Sequence, residues 1–239
     1  MDTDKGLVLP KSDSWKMFNS IAGRYDFLNR LLSLGQDIRW RNALKRYLPG
    51  SSGLTVLDLA TGTADVLIAL AKGNSKIQRG IGIDPAVKML EIGRKKILAE
   101  HLDDRLMLQQ GDAQSLPFLD GTFDCVTISF GIRNIPDLRV ALMEMYRVTK
   151  KGGRILILEF SKPENPVLKA GHWLYLQTFV PLVGFLFSGN FKAYTYLNQT
   201  IQTFPYGERF CKILKQMGFV AIEPHPLMGG AATIYVAQK

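Results

Sequence analysis

The sequence predicts an α/β fold built on a mostly parallel, doubly wound sheet, and three observations carry that reading. Leu54, Val56, Leu57 and Leu59 form an apolar run around Asp58, followed by a small-residue turn over 60–64 and helical spacing through Val66, Leu67, Ala69 and Leu70. A second apolar run, 80–83, closes on Asp84 about 20 residues past the turn, where such folds place an acid for ribose hydroxyls. Strand-like and helix-like patterns then alternate as far as Phe160, which implies right-handed crossovers and helices on both faces of the sheet.

In chain order, residues 1–12 read as a loose tail, and the polar start carries no secretory signal. After Ser12, Asp13 and Ser14, which suit a cap, Trp15, Phe18, Ile21, Ala22, Tyr25, Leu28 and Leu32 recur at helical spacing. Gly35 breaks the pattern, and a second helix is expected over 37–47. This pair is not needed to build the sheet. It either covers a sheet face or forms a lid with Tyr25, Asp26 and Asn29 toward a ligand. A helix over 85–100, a third strand over 106–109 closing near Asp112, and a fourth over 122–130 follow. Asp112 sits where a carboxylate accepts a hydrogen bond from an adenine amino group, with an Asx turn as the competing role. Arg133 and Asn134 come straight after the fourth strand, better explained by a ligand than by packing. A helix over 137–148, a Gly152-Gly153 turn and a strand over 154–160 complete the alternation. The expected division is a helical lid over 1–50, a core over 51–162, an apolar helical insertion over 163–204, and a closing helix with two strands over 205–239.

The turn indicates which nucleotide. Only Gly62 is glycine, so the G-x-G-x-x-G spacing of a pyrophosphate site fails. The carboxylates of Asp58 and Asp65 flank it and suit a ligand bearing an ammonium and a sulfonium, which points to S-adenosylmethionine rather than NAD. A turn of this fold type with no ligand is the plainer alternative.

The chain has 239 residues and a net charge of +9, from 30 Lys and Arg against 21 Asp and Glu. That excess suits nucleic acid or an anionic membrane surface and alone chooses neither. Cys125 and Cys211 have no metal-type spacing and the three His are scattered, so no metal is expected and the location reads as cytoplasmic. The apolar run over 173–187 is too short to span a bilayer. Flanked by Lys169, His172, Lys192 and Tyr194, it is read as admitting a lipid-like substrate or resting peripherally at the inner face of the cell membrane. A buried helical insertion is the alternative.

Several stretches coincide with one family. FNSIAGRYD over 18–26, VLDLATGT over 56–63, residues 123–134, LEFSKP over 158–163 and AYTYL over 193–197 resemble the menaquinone and ubiquinone biosynthesis C-methyltransferases. The 128–134 and 158–163 stretches are the most specific of these. The resemblance implies the class I S-adenosylmethionine-dependent methyltransferase fold, Rossmann-like with a seven-stranded sheet, and C-methylation of a prenylated quinol, with a homodimer compatible and no nucleic acid partner. It implies that Thr63, Asp84, Asp112, Ala113 and Ser129 contact S-adenosylmethionine, that Asp58 and Gly62 shape its pocket, and that Tyr25, Arg133 and Asn134 serve the quinol. Thr61 and Ala64 stand where the family commonly has glycine, and their side chains are expected to narrow the pocket.

Methylating a quinol carbon calls for a phenolate-like ring, because a phenol with a pKa near 10 is a weak nucleophile when neutral. Arg133 is expected to stabilise the phenolate, and Tyr25 or Asn134 to hold the hydroxyl. A water between Arg133 and a neighbouring carboxylate such as Asp26 is one candidate base, and His172 is another. Rival readings are a nucleic-acid methyltransferase, a methyltransferase acting on another lipophilic phenol or sterol, and a non-catalytic binding module with this fold. The first of these lacks an Asn/Asp-Pro-Pro-aromatic motif after the fourth strand.

Overall fold

Leu54–Leu59 (β1) lies in the interior of the sheet, and five of its six side chains are buried, as a strand covered on both faces requires. The computed structural model describes residues 9–179 and 191–239. Four further strands join β1 in parallel: Ile77–Asp84 (β2), Leu106–Gln110 (β3), Phe123–Ser129 (β4) and Thr149–Phe160 (β5). Val220–Leu227 (β6) and Ala232–Gln238 (β7) form a hairpin whose later strand pairs antiparallel with β5. The order is β3-β2-β1-β4-β5-β7-β6.

The helices are Ser14–Leu32 (α1), Gln36–Ala43 (α2), Asp65–Ala71 (α3), Val87–Ala99 (α4), Leu138–Val148 (α5), Pro166–Leu174 (α6), Phe191–Thr203 (α7) and Glu208–Gln216 (α8). Asp137 caps α5 by accepting the backbone N–H groups of Arg139 and Val140 at 2.9 and 3.2 Å. α1 packs on α4 through Ala22, Ala86 and Met89, and Asn19 on α1 accepts the Lys88 N–H in the first turn of α4 at 2.9 Å. The first helix thereby supplies a donor's partner that α4 cannot find within itself.

Two expectations are corrected. The loose tail ends earlier than residue 12, because Lys11–Asp13 form a 3₁₀ turn leading into α1. The second helix tightens to 3₁₀ over Leu44–Tyr47. β6 runs to Leu227 through Pro224 and Pro226, which an edge strand tolerates because it bonds to one neighbour only. The apolar run expected over 173–187 is described only to Phe179, and the side chains of His172, Lys192 and Tyr194 lie outside the described residues.

Candidate active site

At the C-terminal end of β1 the chain reverses through Ala60, Gly62 and Ala64, all with positive φ (48, 56 and 64°). An alanine held there costs about 1–2 kcal/mol, which surrounding contacts must offset. The turn folds the Gly62 N–H onto Asp84 Oδ2 at 2.9 Å, while Asp84 Oδ1 accepts the Ala86 N–H at 2.8 Å. The ends of β1 and β2 are thus tied by one carboxylate whose remaining lone pairs face a cavity of about 290 Å³. Burial pushes Asp84 up to about 6 against those two backbone donors.

Gly62, Asp84, Asp112, Ala113 and Ser129 all line this cavity. Asp112 also makes the Asx turn, accepting the Gln114 N–H at 2.9 Å, while lining the cavity. Lys11, Ser12 and Trp15 also line it, the first two from the stretch that the sequence presents as a loose tail. The buried Ser129 hydroxyl has no hydrogen-bond partner among the described residues. An unpartnered hydroxyl and two strand-end carboxylates suit a ligand carrying hydroxyl and amino groups, so the residues present fit a nucleoside-type cofactor.

Asp58 and Thr63, expected at this ligand, do not line the cavity. Asp58 is sealed beneath the turn, where Thr127 Oγ1 donates to it at 2.6 Å, and burial pushes it up to about 7 against the hydroxyls of Thr127 and Thr61. Thr63 donates instead to Asp26 Oδ1 at 2.6 Å. Nor do Thr61 and Ala64 narrow the pocket. The Thr61 side chain packs over Gly82 of β2, where a Cβ would stand 2.8 Å away, and the Ala64 methyl turns toward Gly93 of α4. The side chains the family's glycines lack are accommodated in the core because β2 and α4 carry glycines opposite them.

A second cavity, of about 100 Å³, adjoins the first and shares Phe18, Tyr25, Phe130 and Asn134 with it. It is lined by Tyr25 and Asn29 from α1, Trp40 from α2, Arg133 and Asn134 from the 3₁₀ turn Ile132–Asn134, and Phe160 at the end of β5. The structure brings Tyr25, Arg133 and Asn134 together here. Arg133 Nη1 donates to the Phe130 carbonyl and to Glu159 Oε1, both at 2.6 Å, and the guanidinium lies 5.1 Å from the centre of the Phe160 ring. Its Nε and the Asn134 Oδ1 are buried with no partner among the described residues. Desolvation raises the Tyr25 hydroxyl above the ordinary phenol value, against a hydrogen bond with Asn29, so it remains a proton donor at neutral pH.

Glu159 is fully buried and was not a candidate from sequence. Burial raises its carboxyl, and the Arg133 charge opposes that shift. A signal was present: an acid inside an otherwise apolar strand needs a partner.

Asp26 is drawn away from both cavities. It accepts Lys96 Nζ at 2.9 Å in a network that spans four helices: Lys96 also pairs with Asp65, which pairs with Arg41 at 3.0 Å, which pairs with Asp37 at 2.6 Å. Asp65 is likewise spent on Arg41 and Lys96 instead of a ligand. The carboxylate beside Arg133 is therefore Glu159, and a water shared by Arg133 and Asp26 has no place in this arrangement.

The model of the ubiE/COQ5 methyltransferase family matches residues 9–239. The chain is 41% identical to the ubiquinone/menaquinone biosynthesis C-methyltransferase of Geotalea uraniireducens, over 99% of this chain and 98% of that one. It is 38% identical to a demethylmenaquinone methyltransferase of Porphyromonas gingivalis, over 96% and 94%. Among solved structures, a Thermotoga maritima S-adenosylmethionine-dependent methyltransferase, described as a possible histamine N-methyltransferase, superposes with a TM-score of 0.67 at 20% identity, covering 94% of this chain and 99% of that one. That likeness concerns the fold alone.

Proposed function

Because the chain belongs to the ubiE/COQ5 methyltransferase family, we propose that its paired cavities carry out methyl transfer from S-adenosylmethionine to a carbon of a prenylated quinol, with demethylmenaquinol as the acceptor. The protein is an S-adenosylmethionine-dependent C-methyltransferase of isoprenoid quinone biosynthesis. The observation that carries the proposed assignment is the wall of Phe18, Tyr25, Phe130 and Asn134 common to both cavities, which sets two ligands edge to edge.

In the larger cavity Asp84 would accept the ribose hydroxyls of S-adenosylmethionine, Asp112 would serve its base, and Ser129 would offer its hydroxyl. When bound, S-adenosylmethionine supplies an electrophilic methyl group on a sulfonium. In the smaller cavity Arg133 faces the oxygen of the quinol hydroxyl and stabilises negative charge growing on it. Glu159 fixes the guanidinium plane, so Nε–H points from a rigid base instead of a mobile side chain. Tyr25 and Asn134 hold the ring oxygen in line. Glu159 is sealed behind Arg133 and holds the guanidinium in place, so the hydroxyl proton passes to water.

No helix among the described residues is long and apolar enough to cross a membrane. On α6, Val167, Leu168, Trp173 and Leu174 are 50–79% exposed, with Lys169 beside them on a chain of charge +9. We propose that this face rests on an anionic membrane. Co-sedimentation with vesicles containing anionic lipid, weakened by Trp173→Glu, supports it. Self-association that buries the face in lipid-free buffer would mean that a second copy of the chain is the occupant.

Calorimetric titration with S-adenosylmethionine, repeated with Asp84→Ala, tests the cofactor assignment. Micromolar binding abolished by the substitution is expected. Methyl transfer to reduced short-chain demethylmenaquinone tests the acceptor, and binding without transfer to any quinol would refute it.

A further inference from the structure

A third cavity, of about 280 Å³, continues the row of two. It shares Leu32, Ser33, Trp40, Phe160 and Leu197 with the Arg133 chamber, and none of these belongs to the wall that chamber shares with the cofactor cavity. The Arg133 chamber therefore has two separate doors. One opens on the methyl donor and the other on the third cavity.

Polarity falls along the row. The cofactor cavity carries carboxylates, and the middle chamber carries Arg133, Asn134 and Tyr25. The third offers no charged side chain, only the Trp40 indole and two hydroxyls, and both hydroxyls are engaged: the Ser33 hydroxyl donates to Asp37 Oδ1 at 2.8 Å, and the Tyr175 hydroxyl donates to the Leu32 carbonyl. Its remaining walls are apolar, with Ile201, Met228 and Ala231 among them. A space so poor in free polar partners does not hold water well and gains from an apolar occupant.

The cavity also leads outward. Leu34 and Met228 line it while being 69% and 58% exposed, so they form its mouth. α6 forms a roof because it lies tight on the β6–β7 turn: a Cβ at Gly229 would stand 2.7 Å from Leu168 Cδ1. Ser161 fastens the end of β5 to the same turn, donating to the Gly230 carbonyl at 2.7 Å.

We propose that the third cavity is the subsite for the first isoprenoid units of the acceptor, which pass from the ring chamber between Trp40, Phe160 and Leu197 and emerge at Leu34 and Met228. This rests on the prenylated-quinol reading above. The methylene joining ring and tail is a rotatable joint, so the tail leaves at an angle to the methyl-transfer axis. The carbon to be methylated stays at the first door while the chain fills the second.

The test compares two acceptors with the same reduced ring, one bearing a single prenyl unit and one bearing several, in the same detergent micelles. The wild type is compared with Gly171→Phe and Ala231→Leu, two positions that line the third cavity; a Cβ at Gly171 meets nothing within 4 Å. In the wild type, kcat/KM is expected to favour the longer acceptor at least tenfold, and each variant is expected to lower that ratio at least tenfold. The ratio cancels any partitioning of the longer acceptor into the micelle, since both proteins meet the same micelle. An unchanged ratio in folded variants overturns the subsite, whereas a wild type inactive on both acceptors overturns the quinol reading itself. As a readout independent of turnover, farnesol, a tail without a ring, is expected to raise the melting temperature of the wild type and not of Gly171→Phe. Equal stabilisation of both proteins would also overturn the subsite.

Discussion

Replacing Glu159 with Gln removes one charge from a buried pair and leaves the other. Glu159 is completely buried, Arg133 is 5% exposed, and Nη1 lies 2.6 Å from Oε1. Removing one partner of such a pair costs about 3–5 kcal/mol. Gln keeps an acceptor for the Phe160 N–H, now bonded to Oε1 at 2.8 Å, which places the expected loss near the lower end, about 3 kcal/mol. For a chain of this length that corresponds to a fall in Tm of roughly 6–12 °C. Arg133→Met should cost less, because a carboxyl left alone can take up a proton and a guanidinium cannot lose one. The variant's stability should therefore rise as pH falls, since burial raises the Glu159 carboxyl and the folded protein then binds a proton that the unfolded chain does not. The double variant should recover at least about 2 kcal/mol relative to the sum of the singles. Urea and thermal denaturation of the four proteins measure the cycle. Additivity within about 0.5 kcal/mol, or a loss below about 1 kcal/mol in Glu159→Gln, would refute the claim that Glu159 holds Arg133.

Asp58, raised from 3.8 to about 7, keeps a proton in the ligand-free folded protein that the unfolded chain has released. Its contribution to stability therefore falls as pH rises between about 4 and 7, and Asp58→Asn should flatten that slope in a plot of Tm against pH. Gly131→Ala places a methyl 2.5 Å from the Ala60 Cβ and forces apart two loops that line the cofactor cavity. A loss of about 1–3 kcal/mol in stability and a weaker calorimetric affinity for S-adenosylmethionine are expected. Lys96→Met leaves Asp26 and Asp65 without their shared cation and should cost about 1–2 kcal/mol in a melt, between the exposed and buried limits for ion pairs. A change below about 0.5 kcal/mol would remove the network from any account of how α1 is held to the core.

The elements that the sequence exposed are those whose cause is local. Period and length were enough for β1 to β5 and for α1, α4 and α5. The acids at strand ends could be placed because chain order in such a fold dictates where strands end, and Asp84 and Asp112 indeed line one cavity. Pairings across long separations were not legible. Asp26 and Lys96 are 70 residues apart, and nothing in either neighbourhood says that α1 will cross α4 at that height. The same holds for Arg133 and Glu159, where the sequence showed a strand-end acid and a loop arginine without showing their contact. The expected crowding by Thr61 and Ala64 was wrong because the space opposite them is set by Gly82 and Gly93, residues that look unremarkable in isolation.

Phe18, Tyr25, Phe130 and Asn134 are counted twice in this molecule, once by each of two adjoining chambers. A ligand seated in either chamber would touch side chains that also line the other. Any coupling between the two binding equilibria is then reciprocal: the factor by which cofactor tightens acceptor is the factor by which acceptor tightens cofactor. A demethylated cofactor product left behind that wall would touch the same four side chains, so its release and the capture of acceptor would be coupled through them.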